Sequence, residues 1–211
     1  MRPLLALLAG CVVSALLVTD AAACGNATMA DVDANVKKVK AAEAALEKGD
    51  VATAKKTSLQ VKRFLQNVEL IVQDGKRTED LRPLLRRATR IHTLAVSRDP
   101  KSTEAERNES VTEFERTVLG SLHAAGRQKE EPEKAEPTLL ADHAEVLSRI
   151  PARTGPALMV LRTLRDKDLL GSAHAFAALA RLEKAAGNAD AEKDARERCR
   201  KAAVKPAICD E

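Results

Sequence analysis

Four histidines, His92, His123, His143 and His174, are spread along the chain. None has a second His, Cys or acid three or four residues away, the register that puts two metal ligands on one helix face. The loose cluster Asp142-His143-x-Glu145 is the exception. There is no His-Glu-x-x-His and no Cys-x-x-Cys, so no motif for a metal, a haem or another cofactor stands in the sequence. Nucleophile signatures such as Gly-x-Ser-x-Gly and Ser-x-x-Lys are absent, and the glycines are single rather than clustered into a phosphate-cradling loop. The adjacent acids Glu130-Glu131 lie in a proline-bearing stretch, where no water-excluded pocket would raise a carboxyl pKa. One charge pattern stands out. Arg82, Arg86 and Arg90 recur every four residues, beside Arg87 and just after Lys76-Arg77. On a helix they form a stripe about 12 Å long, at ~1.5 Å rise per residue. Such a stripe suits an anionic lipid headgroup or polymer. It is equally the solvated edge of a helix whose Leu84, Leu85, Ala88 and Ile91 are buried.

These residues sit in a chain of 211 with 35 basic and 31 acidic side chains, a net charge of +4. Alanine (38) and leucine (26) dominate the apolar set, with three Phe and no Trp or Tyr. A core of Ala and Leu follows, without the aromatic lining of many ligand pockets and without rings on which nucleic-acid bases stack. The nearly balanced charge argues against a polyanion partner driven by net charge.

The chain opens with Met1-Arg2, then an uncharged stretch over residues 3–18, then Thr19-Asp20 and a run of three alanines. This is the plan of a secretory signal peptide over residues 1–23, ending in Ala-x-Ala. Removing it takes one charge of each sign, so the remainder keeps its net +4. The segment also resembles a bacterial lipoprotein signal. Leu8-Ala9-Gly10-Cys11 matches the lipobox pattern better, while Ala21-Ala22-Ala23-Cys24 is better placed, after a full-length apolar region. The resemblance implies lipidation of Cys24, and the alternative is simple cleavage after Ala23. Cleavage there leaves Cys24, Cys199 and Cys209. Three thiols in an oxidising compartment leave one unpaired; a thioether on Cys24 resolves the count, and Cys199 can pair with Cys209. Closing that loop of about 11 residues is worth roughly 3 kcal/mol in the chain-entropy treatment. The alternative for Cys199 is a small core residue on the face of Ala191, Ala195 and Ala202.

Beyond the leader the periodicity is helical. Thr28 and Asp31 form a capping box, and Val32, Val36, Val39, Ala42 and Leu46 mark one face. Gly49-Asp50 breaks this helix and caps a second, whose seam runs from Val51 through Ala54, Ser58, Val61, Leu65 and Val68 to Val72. Asp74-Gly75 stops it, and Thr78-Glu79-Asp80 opens a third with Leu81, Leu84, Leu85, Ala88, Ile91 and Ala95 on its buried face, ended by Asp99-Pro100. Thr103 and Glu106 cap a fourth, carried by Val111, Phe114, Val118 and Leu122 towards Gly126. Residues 127–137 are nearly devoid of apolar side chains, hold two prolines and read as a linker. Later helices follow from Leu139, Leu140, Ala144, Leu147 and Ile150; from Leu158, Leu161 and Leu164; from Leu169, Ala173, Phe176, Ala180 and Leu182; and from Ala191 to Ala202, stopped by Pro206. No stretch alternates with period two. The expected fold is all-α, about eight helices in consecutive antiparallel hairpins, over an N-terminal part (24–126), a linker (127–137) and a C-terminal part (138–211).

The hairpins at Gly49-Asp50 and Gly187-Asn188 resemble tetratricopeptide units. A small residue stands seven positions before each turn glycine, Ala42 and Ala180, and Ala54 lies five after the first. Glu192 replaces that alanine in the second, and the family's aromatic position holds Ser58 and Arg196. Glycine spacings of 26 (Gly49 to Gly75) and 32 (Gly155 to Gly187) keep no constant period. A repeat solenoid and a generic Ala/Leu bundle both fit. Together these features lead us to expect an exported, non-enzymatic helical scaffold for protein–protein interaction at the bacterial cell envelope, periplasmic or lipid-anchored. The rival is a helical bundle binding an anionic envelope component through Arg82, Arg86 and Arg90. No nucleic-acid partner is expected, and membrane contact only through the N-terminal anchor.

Overall fold

The computed structural model describes residues 29–67, 81–120 and 136–210. Among these the fold is all-α, with eight α-helices and no strand. They are α1 (Met29–Glu47), α2 (Val51–Asn67), α3 (Arg82–Arg98), α4 (Glu104–Phe114), α5 (Pro137–Leu147), α6 (Thr154–Asp166), α7 (Ala173–Ala185) and α8 (Ala189–Ala202). A π-helical turn, Glu115–Leu119, continues α4, and 3-10 turns stand at Pro151–Arg153 and Pro206–Asp210. Residues 1–23, Cys24, Thr28, the stretch from Val68 through Asp74-Gly75 to Asp80, Leu122, His123, Gly126 and nearly all of the 127–137 segment lie outside the described residues.

Local chemistry sets the boundaries. Gly49 and Gly187 both adopt φ of +77°, the left-handed conformation that ends α1 and α7 without steric cost. Asp50 then caps α2 by accepting from the Thr53 amide at 3.1 Å. The box at α4 is complete: Glu106 N–H donates to Thr103 Oγ1 (3.2 Å) and Thr103 N–H to Glu106 Oε2 (2.9 Å). Ser172 caps α7 through the Ala175 amide, a signal the sequence reading passed over. Pro137, expected to close the linker, instead supplies the first turn of α5, where its missing N–H costs nothing.

Neighbouring helices pack as hairpins, most extensively α1 with α2, α2 with α3, α5 with α6 and α7 with α8. The central element is α3, which touches α1, α2, α4 and α5. Its seam was expected at Leu81, Leu84 and Leu85, but these are only half-buried. Burial moves to the C-terminal half, where every residue from Ile91 to Ser97 is enclosed, Thr93 and Ser97 included. The core is alanine-rich, with Ala42, Ala54, Ala88, Ala95, Ala157, Ala175 and Ala195 at or near zero exposure, and Phe114 and Phe176 as its enclosed rings. Small side chains let the helix axes approach closely. Leu169, expected in the α7 seam, is exposed in the connection before that helix; Leu170 is buried in its place. Ala202 is likewise exposed at the end of α8.

Helices on either side of the 127–137 segment share one core. Ile91, Leu94 and Val111 belong to the same apolar cluster as Ala141, Val146, Leu161 and Leu179. The division into an N-terminal and a C-terminal part is therefore a division of sequence rather than of packing. Between them run ion pairs: Arg90–Asp142, Arg98–Glu145 and Arg153–Glu115.

Candidate functional site

A groove of about 560 Å³ opens where α1, α3, α5, the start of α7 and the C-terminal tail meet. From α1 come Glu43, Leu46 and Glu47; from α3, Arg90, Ile91, Leu94 and Arg98. Thr138 and Asp142 enter from α5, Ser172 and His174 from the start of α7, and Ala202, Val204 and Ile208 from the end of the chain. The floor is apolar through Leu46, Ile91 and Leu94, and the rim is charged.

The positions on α3 follow from helical register. Arg90, Leu94 and Arg98 are four apart, so the arginine stripe read from the sequence continues through Leu94 to Arg98 on one face. On α5, Asp142 and Glu145 are three apart and also share a face. The two faces meet. Arg90 Nε donates to Asp142, and Arg98 binds Glu145 in bidentate fashion at 2.7 and 3.0 Å. Arg87, beside the stripe, pairs with Glu43 of α1. Arg82 is exposed and Arg86 half-buried, and both are engaged by neighbours. The three arginines therefore do not form a uniform stripe of unpaired cations: Arg90 is committed to Asp142.

The two α5 carboxyls differ electrostatically. Burial pushes the Asp142 carboxyl up to about 6, against the pull of the Arg90 guanidinium and with help from the nearby Glu145 charge. Burial would raise Glu145 too, but the Arg98 fork outweighs it and holds that carboxyl below its ordinary value. One acid that takes a proton near neutrality thus borders the groove, and one locked anion lies behind it. Of the groove's hydroxyls, that of Ser172 is occupied in capping α7.

Other polar clusters are built into the packing. His92 Nδ1 lies 3.4 Å from Ser58 Oγ and 3.3 Å from the Lys55 carbonyl. The Ser58 hydroxyl donates to the Ala54 carbonyl at 2.6 Å and has no exposed surface, so no substrate reaches this Ser–His contact. Burial, with Lys62 nearby, lowers the His92 pKa to about 4 and keeps the ring neutral. His143 stacks on Phe114 at 5.9 Å and meets Glu115 at 2.9 Å; burial lowers its pKa despite that carboxylate. The π turn carries Glu115, which also accepts from Arg153. A second, open pocket of about 700 Å³ near the α7–α8 turn is bordered by Arg162, Arg165 and Glu183. There the enclosed Glu183 carboxylate binds Arg162 twice and Asn188 once.

Cys199 and Cys209 form a disulfide with Cα atoms 5.8 Å apart. Both are enclosed, Cys199 against the carbonyl of Ala173. Among the described residues, no group of three or more His, Cys, Asp or Glu converges as for a metal ion. Among them, too, no helix is long and apolar enough to cross a membrane.

Sequence reasoning reached Arg90, Cys199, Cys209 and the Asp142/Glu145 pair, but not their assembly with Arg98, Leu94 and Ile208 around one groove. The signal for Arg98 was the four-residue step beyond Leu94; no local signal announced the tail. Compared with protein families, with curated proteins and with solved structures, the chain matches none.

Proposed function

We propose that this chain is an exported, non-enzymatic helical scaffold at the bacterial cell envelope, and that the groove between α1, α3, α5 and the tail receives a segment of a partner protein. The observation that carries the reading is the groove itself. It joins an apolar floor to a charged rim, as interface cores and rims do. Its walls are stiffened by Arg90–Asp142, Arg98–Glu145 and Arg87–Glu43, so little rotamer freedom remains to be lost on docking. The signal-type leader and the odd cysteine left at Cys24 support export, with anchoring through that residue.

The test is site-specific photocrosslinking in bacterial cells expressing the chain with its own leader. A photoreactive residue at Thr138, on the groove, should capture one defined protein; the same residue at Met159, exposed on α6, should not. Equal capture from both positions, or none from Thr138, would overturn the docking reading. Intact mass of the membrane-extracted protein checks the address: a chain beginning at Cys24 with diacylglyceryl is expected.

A further inference from the structure

The tail after α8 does more than end the chain. The helix closes at Ala202, and residues 203–210 turn back as a strap whose Pro206–Asp210 turn packs on α7 and α8. Three ties hold it. The Cys199–Cys209 disulfide fixes its far end to α8. Arg196 donates to the Cys209 carbonyl at 2.7 Å, and Lys205 donates to the Lys48 carbonyl at the end of α1, 157 residues away in sequence. Between the ties, Val204 and Ile208 face the groove. Ile208 leans on the core, whereas Val204 is 95% exposed, the most exposed large apolar side chain among the described residues.

We infer that residues 203–210 are a disulfide-latched strap forming one wall of the groove, and that reducing Cys199–Cys209 with a dithiol releases the strap and opens that wall. The Lys205 and Arg196 contacts are single hydrogen bonds, the first at an exposed site, where water competes for the partners. The covalent tie is therefore the one that holds. Release proceeds by thiol–disulfide exchange. A thiolate of the reductant attacks one sulfur, giving a mixed disulfide and a free cysteine thiolate, which takes up a proton. The second thiol of the reductant then displaces the other cysteine. The reductant leaves as a disulfide, and Cys199 and Cys209 each gain one hydrogen.

Both sulfurs are enclosed, so the reductant reaches them only in brief local openings around Cys209, which close again while the bond is intact. A ligand seated against Val204 and Ile208 holds the strap down and so slows reduction. By reciprocity, the oxidised strap favours the ligand. This consequence rests on the groove being the docking site; the latch itself does not.

The chain has no Trp, so a single introduced one reports cleanly. Ile208→Trp places the probe on the strap, and Phe114→Trp places it in the core behind α4. In the oxidised full chain both should be shielded from acrylamide. After dithiothreitol, with the gain of two hydrogens confirmed by mass, quenching of Trp at 208 should rise severalfold while Trp at 114 stays shielded. Cys199→Ser/Cys209→Ser in the Ile208→Trp background should reproduce the reduced state without reductant. A probe at 208 still shielded after confirmed reduction overturns the latch. Exposure of both probes overturns it too, because the bond would then staple the whole fold. Crosslinking at Thr138 is independent of these readings, so failure of the docking proposal and failure of the latch are distinguishable.

Discussion

Replacing Asp142 with Asn should make the protein more sensitive to mild acid, through the loss of an opposing titration. His92 is lowered to about 4 in the fold from an ordinary 6.5, so the unfolded chain takes the proton first and stability drains as pH falls from 6.5 towards 4. His143 acts in the same direction. Asp142 does the reverse. Its carboxyl is raised to about 6 from 3.8, so the folded chain takes the proton first and stability grows as pH falls through 6. Between about pH 6.5 and about pH 5, linkage gives a loss on the order of 1–2 kcal/mol from His92 and a gain on the order of 1 kcal/mol from Asp142. The charges facing Asp142 are Arg90 and Arg98 of α3 and Glu145 of its own helix. Glu145 is held below its ordinary value and so stays an anion across this window, and the gain belongs to Asp142. Asp142→Asn removes it, and the variant should lose on the order of 1 kcal/mol more than the parent over that interval. Urea unfolding followed by far-UV circular dichroism at the two pH values measures the difference. The absolute stability of the variant is not diagnostic, because Arg90 loses its counter-charge at every pH. Parallel pH profiles for variant and parent would refute the reasoning.

Further substitutions check the packing. Leu65→Asp puts a charge into the apolar cluster that holds Val61 and Ala54 and should cost several kcal/mol; an unchanged melting temperature would mean α2 is misplaced. Gly187→Ala forces a Cβ into φ +77° and should cost about 1 kcal/mol, read as a lower urea midpoint at constant slope. Thr103→Ala removes the hydroxyl that accepts from Glu106 and should also cost ~1 kcal/mol, whereas Thr103→Ser should restore most of it. Glu183→Ala leaves Arg162 and Asn188 without their shared carboxylate and should cost about 2 kcal/mol, the α6–α7 seam losing hydrogen-exchange protection first.

Helix ends were the most legible feature, because they depend on neighbours in sequence. Gly49, Gly187 and the Thr103–Glu106 box each carry their reason within four residues. The Cys199–Cys209 bond was legible through cysteine count and a short loop. The burial of α3 was not. Thr89, His92, Thr93 and Ser97 are types usually found at surfaces, and they are enclosed here because four helices converge on α3. Thr93 meets the Ser110 carbonyl and His92 meets the Lys55 carbonyl, partners that periodicity cannot supply. The groove was hidden for the same reason. Arg90 and Arg98 find their acids 52 and 47 residues further on, and the strap reaches α1 from the opposite end of the chain. Leu169 shows the converse error, a helical period begun four residues early, in the connection that follows the turn at Asp168 (φ +56°) and ends at the Ser172 cap.

The alanine-rich seams also decide which way the sequence can drift. Ala42, Ala54, Ala88 and Ala95 belong to one apolar cluster and have no exposed surface, so an added methylene at any of them must be accommodated inside the packing. Enlarging any of them costs about 1–3 kcal/mol, while glycine costs about 1 kcal/mol in helix propensity and serine adds a hydroxyl that needs a partner. Most cores punish loss of bulk; this one punishes gain. A randomised library at these four positions should therefore be depleted of Leu, Ile and Phe and enriched in Ala, so that drift in this chain is limited by side-chain size more than by hydrophobicity.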